Sequence, residues 1–285
     1  MIKNTLLLSA GLIVSAIGIC QNPGKLLLNN GEKYSIENKF TVTSKQDMMG
    51  QSIDSKIDFF TLNNMEVKEV KDNNYNLAAT YTKITASMNA MGQDMNFDSD
   101  KKEDMNGEMG SGFKDIIGQA KNVVVDKNGK ILIDKKDTNS EAGQGGMMSM
   151  MMKQLMGDQD ETGFGLSEVF MIIPVKSTVG SSWGDSTSMG GIKKSAIYTI
   201  KEIKGTEAVV TISGILDMDI KTEMQGTEII NKSTGKLSGE EVVDIKTGLV
   251  KQRNTTLESS GKVVAMGQEI PTTTKVNKLT TLKRL

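Results

Sequence analysis

The sequence predicts a mostly β protein, a β-rich α+β fold with one long curved antiparallel sheet or half-barrel. We expect a duplicated hairpin unit and a short helical insert within it. Three observations support this class. Many segments alternate apolar and polar residues, which is the period of half-buried strands. Only 3 of the 285 residues are proline, so few positions interrupt strand pairing. Turn signals such as Asn-Gly and Met-Gly-Gln separate the alternating segments.

The N-terminal segment has the pattern of a secretory signal peptide. Lys3 precedes an apolar run over residues 6–17, which is shorter than the roughly 20 residues that span a bilayer. Residues 1–20 are therefore expected to be removed, and the protein to be exported to the periplasm or the extracellular space. Two processing routes compete, since lipidation of Cys20 would anchor the chain to the outer membrane, whereas ordinary cleavage would follow Cys20. The large Ile19 favours ordinary cleavage.

The composition argues against several classes of function. The net charge of −1 provides no electrostatic footprint for nucleic acid. No later apolar run reaches membrane length, so no transmembrane segment is expected in the mature chain. The absence of histidine removes the usual general base and the commonest zinc and copper ligand. We therefore expect no enzyme, no cofactor and no metal, with a carboxylate-based hydrolase as a less favoured alternative.

We expect residues 21–285 to form a single β-rich domain, in which a first half (31–135) and a second half (179–285) flank an insert (141–174). In the first half, Asn128 and Gly129 separate two short apolar runs and predict a hairpin. The Met-Gly-Gln triplets, which lie between alternating segments, are expected at hairpin tips; they occupy residues 49–51, 91–93 and 266–268.

The clearest strand of the second half covers residues 210–224, where apolar residues alternate with charged and hydroxyl residues. The halves also resemble each other, because residues 67–71 (VKEVK) match residues 200–204 (IKEIK). The apolar phase that contains Thr82 is one residue out of step with the second copy. A one-residue bulge would restore the match.

The insert is rich in methionine and predicts short helices over residues 149–156 and 166–172; another is expected over 111–120. Its methionines allow three interpretations: flexible packing onto the sheet, a deformable surface for hydrophobic ligands, or Cu(I) held by thioethers. The candidate ligand-binding residues are Met147, Met148, Met151, Met152, Leu155, Met156, Phe170 and Met218.

Several short motifs occur in a fixed order along the chain: 31–34 (GEKY), the Met-Gly-Gln triplets, 97–99 (FDS), 179–183 (VGSSW), and the turn from 243 to 248. Together they resemble an uncharacterised family of secreted bacterial proteins, a domain of unknown function. The resemblance implies export and a β-rich fold, and it brings no catalytic residues. A looser, architectural likeness is to periplasmic lipoprotein carriers, in which a curved antiparallel sheet holds acyl chains under a helical lid.

These observations favour an exported, non-enzymatic envelope protein that binds a lipid or other hydrophobic small molecule. The expected cleft lies between the sheet and the Met-rich insert. The competing hypothesis is a structural or interaction protein of the cell envelope that has a filled core and no ligand.

Overall fold

The computed structural model describes residues 24–48, 50–90, 93–107, 110, 113–114, 116–132, 165–189, 191–224, 227–265 and 267–285. These residues form one antiparallel sheet of twelve strands that does not close into a barrel, together with one short helix. The predicted fold class is thus confirmed. The signal segment and most of the Met-rich insert lie outside the described residues.

The elements follow one another as β1 (Lys33–Met48), β2 (Gln51–Lys71), β3 (Asn74–Ala90), β4 (Gln93–Asp98), α1 (Lys102–Asn106), β5 (Ala120–Asp126), β6 (Ile131–Leu132), β7 (Ser182–Met189), β8 (Ile192–Lys204), β9 (Glu207–Met224), β10 (Thr227–Asp244), β11 (Leu249–Ala265) and β12 (Gln268–Arg284). Across the sheet the order is β6-β5-β3-β2-β1-β12-β11-β10-β9-β8-β7, and β4 pairs beside β5 on β3. The first and last strands of the chain therefore pair with each other in the middle of the sheet.

The two faces of the sheet differ in polarity, as the alternation predicts. On β9, Val210 and Ile212 are buried and Met218 is partly buried. Asp217 and Asp219, which have the opposite phase on the strand, are exposed. We call the face that carries Val210 the inner face and the opposite one the outer face. The predicted apolar side of residues 210–224 is the inner face wherever its side chains are described.

The strand pairing is irregular at several residues, and one irregularity lies in the segment where a bulge was expected. In the β2–β3 pair the register skips Thr82, which is the expected one-residue bulge. A second shift passes over Lys68 in β2, and the β8–β9 pair shifts at the equivalent Lys201. The VKEVK and IKEIK segments therefore bulge at the equivalent position, which is the first lysine of each segment. This shared irregularity agrees with the duplicated hairpin unit.

Two irregular segments, 24–28 and 165–173, contribute buried side chains to the core at one end of the inner face. Leu26 and Leu166 are fully buried there, and the Tyr75 hydroxyl donates a hydrogen bond to the Leu26 carbonyl oxygen at 2.5 Å. The core has two clusters, a larger one on β1, β2, β3 and β5 and a smaller one centred on β8 and β9. We call this end of the sheet the packed half, and the other end the open half.

The helix predictions were wrong wherever the structure describes them. Only residues 166–168 form a single 3-10 turn, after which Phe170 bridges to Leu249 of β11. The Val250 N–H donates to the Val169 carbonyl oxygen. A carbonyl group that would accept a hydrogen bond within a helix is therefore bonded to the sheet. Residues 113–114 and 116–118 form turns, and α1, which was not predicted, lies earlier in the chain. The prediction for 149–156 falls outside the described residues.

Glycines on the inner face allow neighbouring strands to approach closely. Gly214 lies inside the uninterrupted strand β9, where a Cβ would overlap the Ser195 carbonyl oxygen. Gly261 of β11 is similarly placed, because a Cβ would overlap the Lys232 carbonyl oxygen and the Cα of Ser233. Both sites are ones where only glycine fits without a backbone shift.

We therefore expect Gly261→Ala to reduce the free energy of unfolding by about 1–3 kcal/mol, as overpacking does. Urea-induced unfolding followed by circular dichroism measures this. Ser260→Ala is the matched control, because Ser260 is the exposed neighbour on the outer face, and it should change stability by less than about 0.5 kcal/mol. Equal effects of the two substitutions would contradict the close approach of β10 and β11.

Candidate ligand-binding site on the inner face

Five polar residues from five adjacent strands form a row across the inner face. Asn38 of β1 lies opposite both Thr61 of β2 and Thr280 of β12. Thr280 lies opposite Arg253 of β11, and Arg253 lies opposite Glu241 of β10. Directly opposed residues have Cβ atoms roughly 5 Å apart, so the row is continuous. We call it the polar belt.

Hydrogen bonds link one end of the belt. The Thr280 hydroxyl donates to the Asn38 Oδ1 at 2.8 Å, and the Asn38 Nδ2 donates to the Thr61 hydroxyl at 3.2 Å. All three side chains are at most 1% exposed. Buried polar groups are tolerated when they bond to one another, so this end of the belt is a satisfied network.

A turn within the insert, at residues 165–168, positions Glu168 over the polar belt. Gly165 begins this turn with φ of +67°, and a Cβ there would lie 3.2 Å from the Asn38 amide nitrogen. The Glu168 carboxylate lies 2.6 Å from the Lys278 ammonium, and its Oε2 lies 3.3 Å from the Thr280 hydroxyl oxygen. Lys278 also lies 4.6 Å above the centre of the Phe40 ring, a cation–π contact.

The charges around Glu168 determine its protonation. Burial favours the neutral acid and would raise its pKa, but Lys278 and Arg253 outweigh burial and lower the pKa to about 2. Glu168 is therefore a carboxylate at neutral pH and the counter-charge of Lys278.

Glu241 and Arg253 form a second, more deeply buried ion pair. The Arg253 Nε donates to the Glu241 Oε2 at 2.6 Å, and its Nη2 lies 2.5 Å from the same oxygen. Burial raises the pKa of Glu241, while Arg253 opposes that rise. The other carboxylate oxygen of Glu241, Oε1, is buried without a hydrogen-bond partner. A buried acceptor without a protein partner is rare, and this oxygen is able to accept a hydrogen bond from a further polar group.

Lys194 and Tyr198 of β8 complete the charged region. Tyr198 is buried and stacks against Trp183 with ring centres 5.8 Å apart. Lys194 lies on the same inner face, opposite Leu216 of β9. Burial lowers the pKa of Lys194, the positive Arg253 lowers it further, and Glu168 opposes the change. Three cations thus share the inner face with the buried carboxylate of Glu241 and the partly buried carboxylate of Glu168.

Beyond the belt, toward the open half, the inner face becomes apolar again. Six apolar side chains from six adjacent strands lie in register and are all partly exposed; from β3 to β10 they are Met88, Ile57, Val42, Val276, Leu257 and Leu237. We call them the apolar row. On β8 and β9 the apolar surface continues through Ile192, Leu216, Met218 and Ile220, which are also partly exposed.

The predicted site residues divide between these regions. Met147, Met148, Met151, Met152, Leu155 and Met156 lie outside the described residues. Phe170 is 6% exposed and belongs to the core of the packed half. Met218 lies on the inner face of the open half, opposite Ser233 of β10. That these residues act together in one site remains a prediction.

The sequence pattern did not identify the charged residues of the inner face, which are Glu168, Lys194, Glu241, Arg253, Lys278 and, by its register opposite Ala196, the exposed Asp185. A signal was present, because a charged residue in the apolar phase of a strand predicts an inward charge. On β12 the inward positions 276, 278, 280 and 282 hold valine, lysine, threonine and leucine. The partners of each charge come from other strands, so the pattern alone could not assign them.

Two cavities outlined by described residues lie on the outer face. The larger, about 900 Å³, has Lys45, Lys236 and Glu258 among its lining residues. The smaller, about 620 Å³, lies around Asp219 and Lys232, which form an exposed ion pair. Since exposed ion pairs are already solvated, we place the candidate site on the inner face.

Within the described residues, no group of three or more acidic, cysteine or histidine side chains is arranged to hold a metal ion. The same part of the chain contains no helix that is both long and apolar enough to cross a membrane.

Comparison with known proteins identifies one family. The sequence model described as "Family of unknown function (DUF6263)" matches residues 72–250, which is more than half of the chain. A comparison with curated protein sequences finds no match.

Solved structures with a similar arrangement of strands are distant in sequence. A lipovitellin structure, titled for its lipid–protein interactions, is 10% identical with a TM-score of 0.48; the match covers 90% of this chain and 25% of the lipovitellin chain. This chain therefore spans about a quarter of that protein. An outer membrane channel from Pseudomonas putida F1 is 7% identical over 90% of this chain and 97% of the channel, with a TM-score of 0.25. These likenesses are too weak to carry a functional argument.

Proposed function

The chain belongs to the family of unknown function DUF6263, and we propose that it is an exported, non-enzymatic envelope protein that binds a lipid or other hydrophobic ligand. Family membership assigns no activity, so the proposal depends on the inner face. The observation that carries it is the apolar row, whose side chains stay partly exposed beside a well-packed core. An exposed and continuous apolar surface on a folded protein commonly marks a binding site.

The energetics suit a ligand with an extended apolar part. Complete burial of a large aliphatic side chain is worth about 1.5–3 kcal/mol, and the apolar row has six partly buried side chains. An acyl chain laid across them would therefore gain several kcal/mol. Ligand sites of this kind combine a mostly apolar lining with a few polar groups, which the polar belt would supply.

The Met-rich insert would provide the other wall of the cleft. Methionine side chains are flexible and polarizable, so Met147, Met148, Met151 and Met152 could adapt to ligands of different shape. The signal-like residues 1–20 support the proposed export, to the periplasm or outside the cell. Lipidation at Cys20 would hold it at the outer membrane.

We expect Leu216→Asn to weaken binding of the neutral dye Nile red to the mature protein by about tenfold, because a leucine contact of about 1.4 kcal/mol is lost. Ile215→Asn is the matched control. Ile215 is the adjacent residue on β9, but it is 56% exposed and lies on the outer face. Its substitution should leave the dye affinity unchanged in a fluorescence titration.

Native mass spectrometry of gently purified protein tests the same proposal without a dye. We expect a hydrophobic molecule to remain bound to the mature chain. The competing hypothesis of a structural or interaction protein predicts neither a bound molecule nor dye binding in the folded state. That combination would reject the proposed function.

A further inference from the structure

We propose that the ligand is an amphiphile with an anionic headgroup, which Lys194 binds at the inner face while the apolar chain lies along the neighbouring aliphatic side chains. This inference rests on the proposed function and specifies the class of ligand. It is carried by the distribution of charge on the inner face and by the apolar surface beside it.

Two of the three cations already have partners. Lys278 is paired with Glu168 at 2.6 Å, and Arg253 is paired with Glu241. Among the described residues, Lys194 has no carboxylate within 4.0 Å. Lys194 is partly buried, and a counter-charge in contact with it there is screened less by water than at a fully exposed lysine.

Asp185 is the remaining acid that acts on Lys194. It lies on the edge strand β7, opposite Ala196 of β8 and therefore on the same inner face as Lys194, and its side chain is exposed. The charge of an exposed carboxylate is largely screened by water, so Asp185 offsets the Lys194 charge only in part. An anion bound beside Lys194 would complete the balance.

Glu241 gives an independent indication of a polar ligand group. Its side chain is 1% exposed, yet its Oε1 has no hydrogen-bond partner. In the strand register Lys194 lies with Leu216 of β9 and Gly235 of β10, which is six residues from Glu241 on the same strand. A polar group of the ligand that carries a hydroxyl would donate to Oε1, separately from the anionic headgroup that pairs with Lys194.

The apolar surface adjoins this region directly. Lys194 lies opposite Leu216. Ile192, two residues before Lys194 on β8, lies opposite Met218. In the other direction Ala196 lies beside Gly214, which leads to the apolar row at Leu237. A charged group next to a continuous aliphatic surface is the complement of a headgroup joined to an acyl chain.

The test compares two probes that share a chain and differ in the headgroup, oleate and oleyl alcohol. Both are titrated below their aggregation concentrations against the mature protein loaded with Nile red, and dye displacement is measured. We expect Lys194→Met to weaken oleate binding roughly 10- to 100-fold, which is the effect of losing a charge-assisted contact. Binding of oleyl alcohol should change less than about twofold.

Lys193→Met is the matched control. Lys193 is the preceding residue of β8, exposed on the outer face, and its substitution removes the same charge. It should leave oleate affinity unchanged. Lys194→Met should not lower the melting temperature, since it removes a partly buried cation that has no ion pair with the described residues, and this separates a binding defect from unfolding. Acetate and inorganic phosphate, which lack the chain, should not displace the dye.

The outcomes distinguish the two proposals. If neither oleate nor oleyl alcohol binds, the proposed function fails, and this inference fails with it. If both bind equally well and Lys194→Met affects neither selectively, the protein binds hydrophobic ligands but the anionic headgroup is wrong. Displacement by phosphate alone would indicate a free anion as the ligand of Lys194 and would also overturn the inference.

Discussion

Arg253→Met is expected to reduce the free energy of unfolding of the mature protein by about 3–5 kcal/mol, the usual cost of breaking a buried ion pair from one side. Glu241 is fully buried opposite Arg253, and the guanidinium is the only partner of its Oε2 among the described residues. Removal of Arg253 leaves this carboxylate without compensation. Urea-induced unfolding monitored by circular dichroism measures the loss, which is a large share of the roughly 5–15 kcal/mol that stabilises a typical domain.

Two further variants test the cause of that loss. Glu241→Leu combined with Arg253→Met removes both charges and should recover most of the stability, because a buried pair can be replaced by apolar residues at little cost. Lys251→Met serves as the control on the same strand. Lys251 pairs with Glu207 at 2.6 Å, but both side chains are 45% exposed, so the change should cost less than about 1 kcal/mol. A loss for Arg253→Met as small as for Lys251→Met would contradict the buried pair.

Glu168 is expected to make the protein sensitive to acid. Its pKa is lowered from 4.5 in the unfolded chain to about 2 in the fold, mainly because Lys278 and Arg253 oppose the effect of burial. A lowered carboxyl pKa stabilises the folded state above the unfolded pKa, and this stabilisation is lost as the pH falls through the folded pKa. The window is therefore about pH 4.5 to pH 2, and the loss amounts to about 3 kcal/mol.

Because other carboxylates also titrate in this window, the measured quantity is the difference between the wild type and Glu168→Gln. The variant should be less stable by about 3 kcal/mol at pH 5, and the two proteins should converge near pH 2. Glu228→Gln, at an exposed position of β10, controls for the removal of one carboxylate. Parallel pH profiles of the wild type and Glu168→Gln would show that Glu168 is not paired on the inner face.

Local features of the sequence predicted most of the strands. Alternation with period 2 identified β9, and Asn128 with Gly129 identified the β5–β6 hairpin, because both signals depend on neighbouring residues only. A comparison of the two halves predicted a one-residue bulge in the first half, but not its position at Thr82. The helix predicted for residues 166–172 failed for the opposite reason. Its apolar residues pack into the core and its backbone bonds to β11, so tertiary contacts override local propensity.

The sequence by itself determined that this is an antiparallel β protein with one apolar and one polar face, since side chains on a strand alternate between the faces whatever the strand pairs with. Only the tertiary structure decided which strands meet. The pairing of β1 with β12 joins residues such as Asn38 and Thr280, which are 242 positions apart, and sets the register of the polar belt. Glu168, Arg253, Glu241 and Lys194 acquire their roles from that register, because ionic interactions depend on distances of a few ångströms that strand periodicity does not specify.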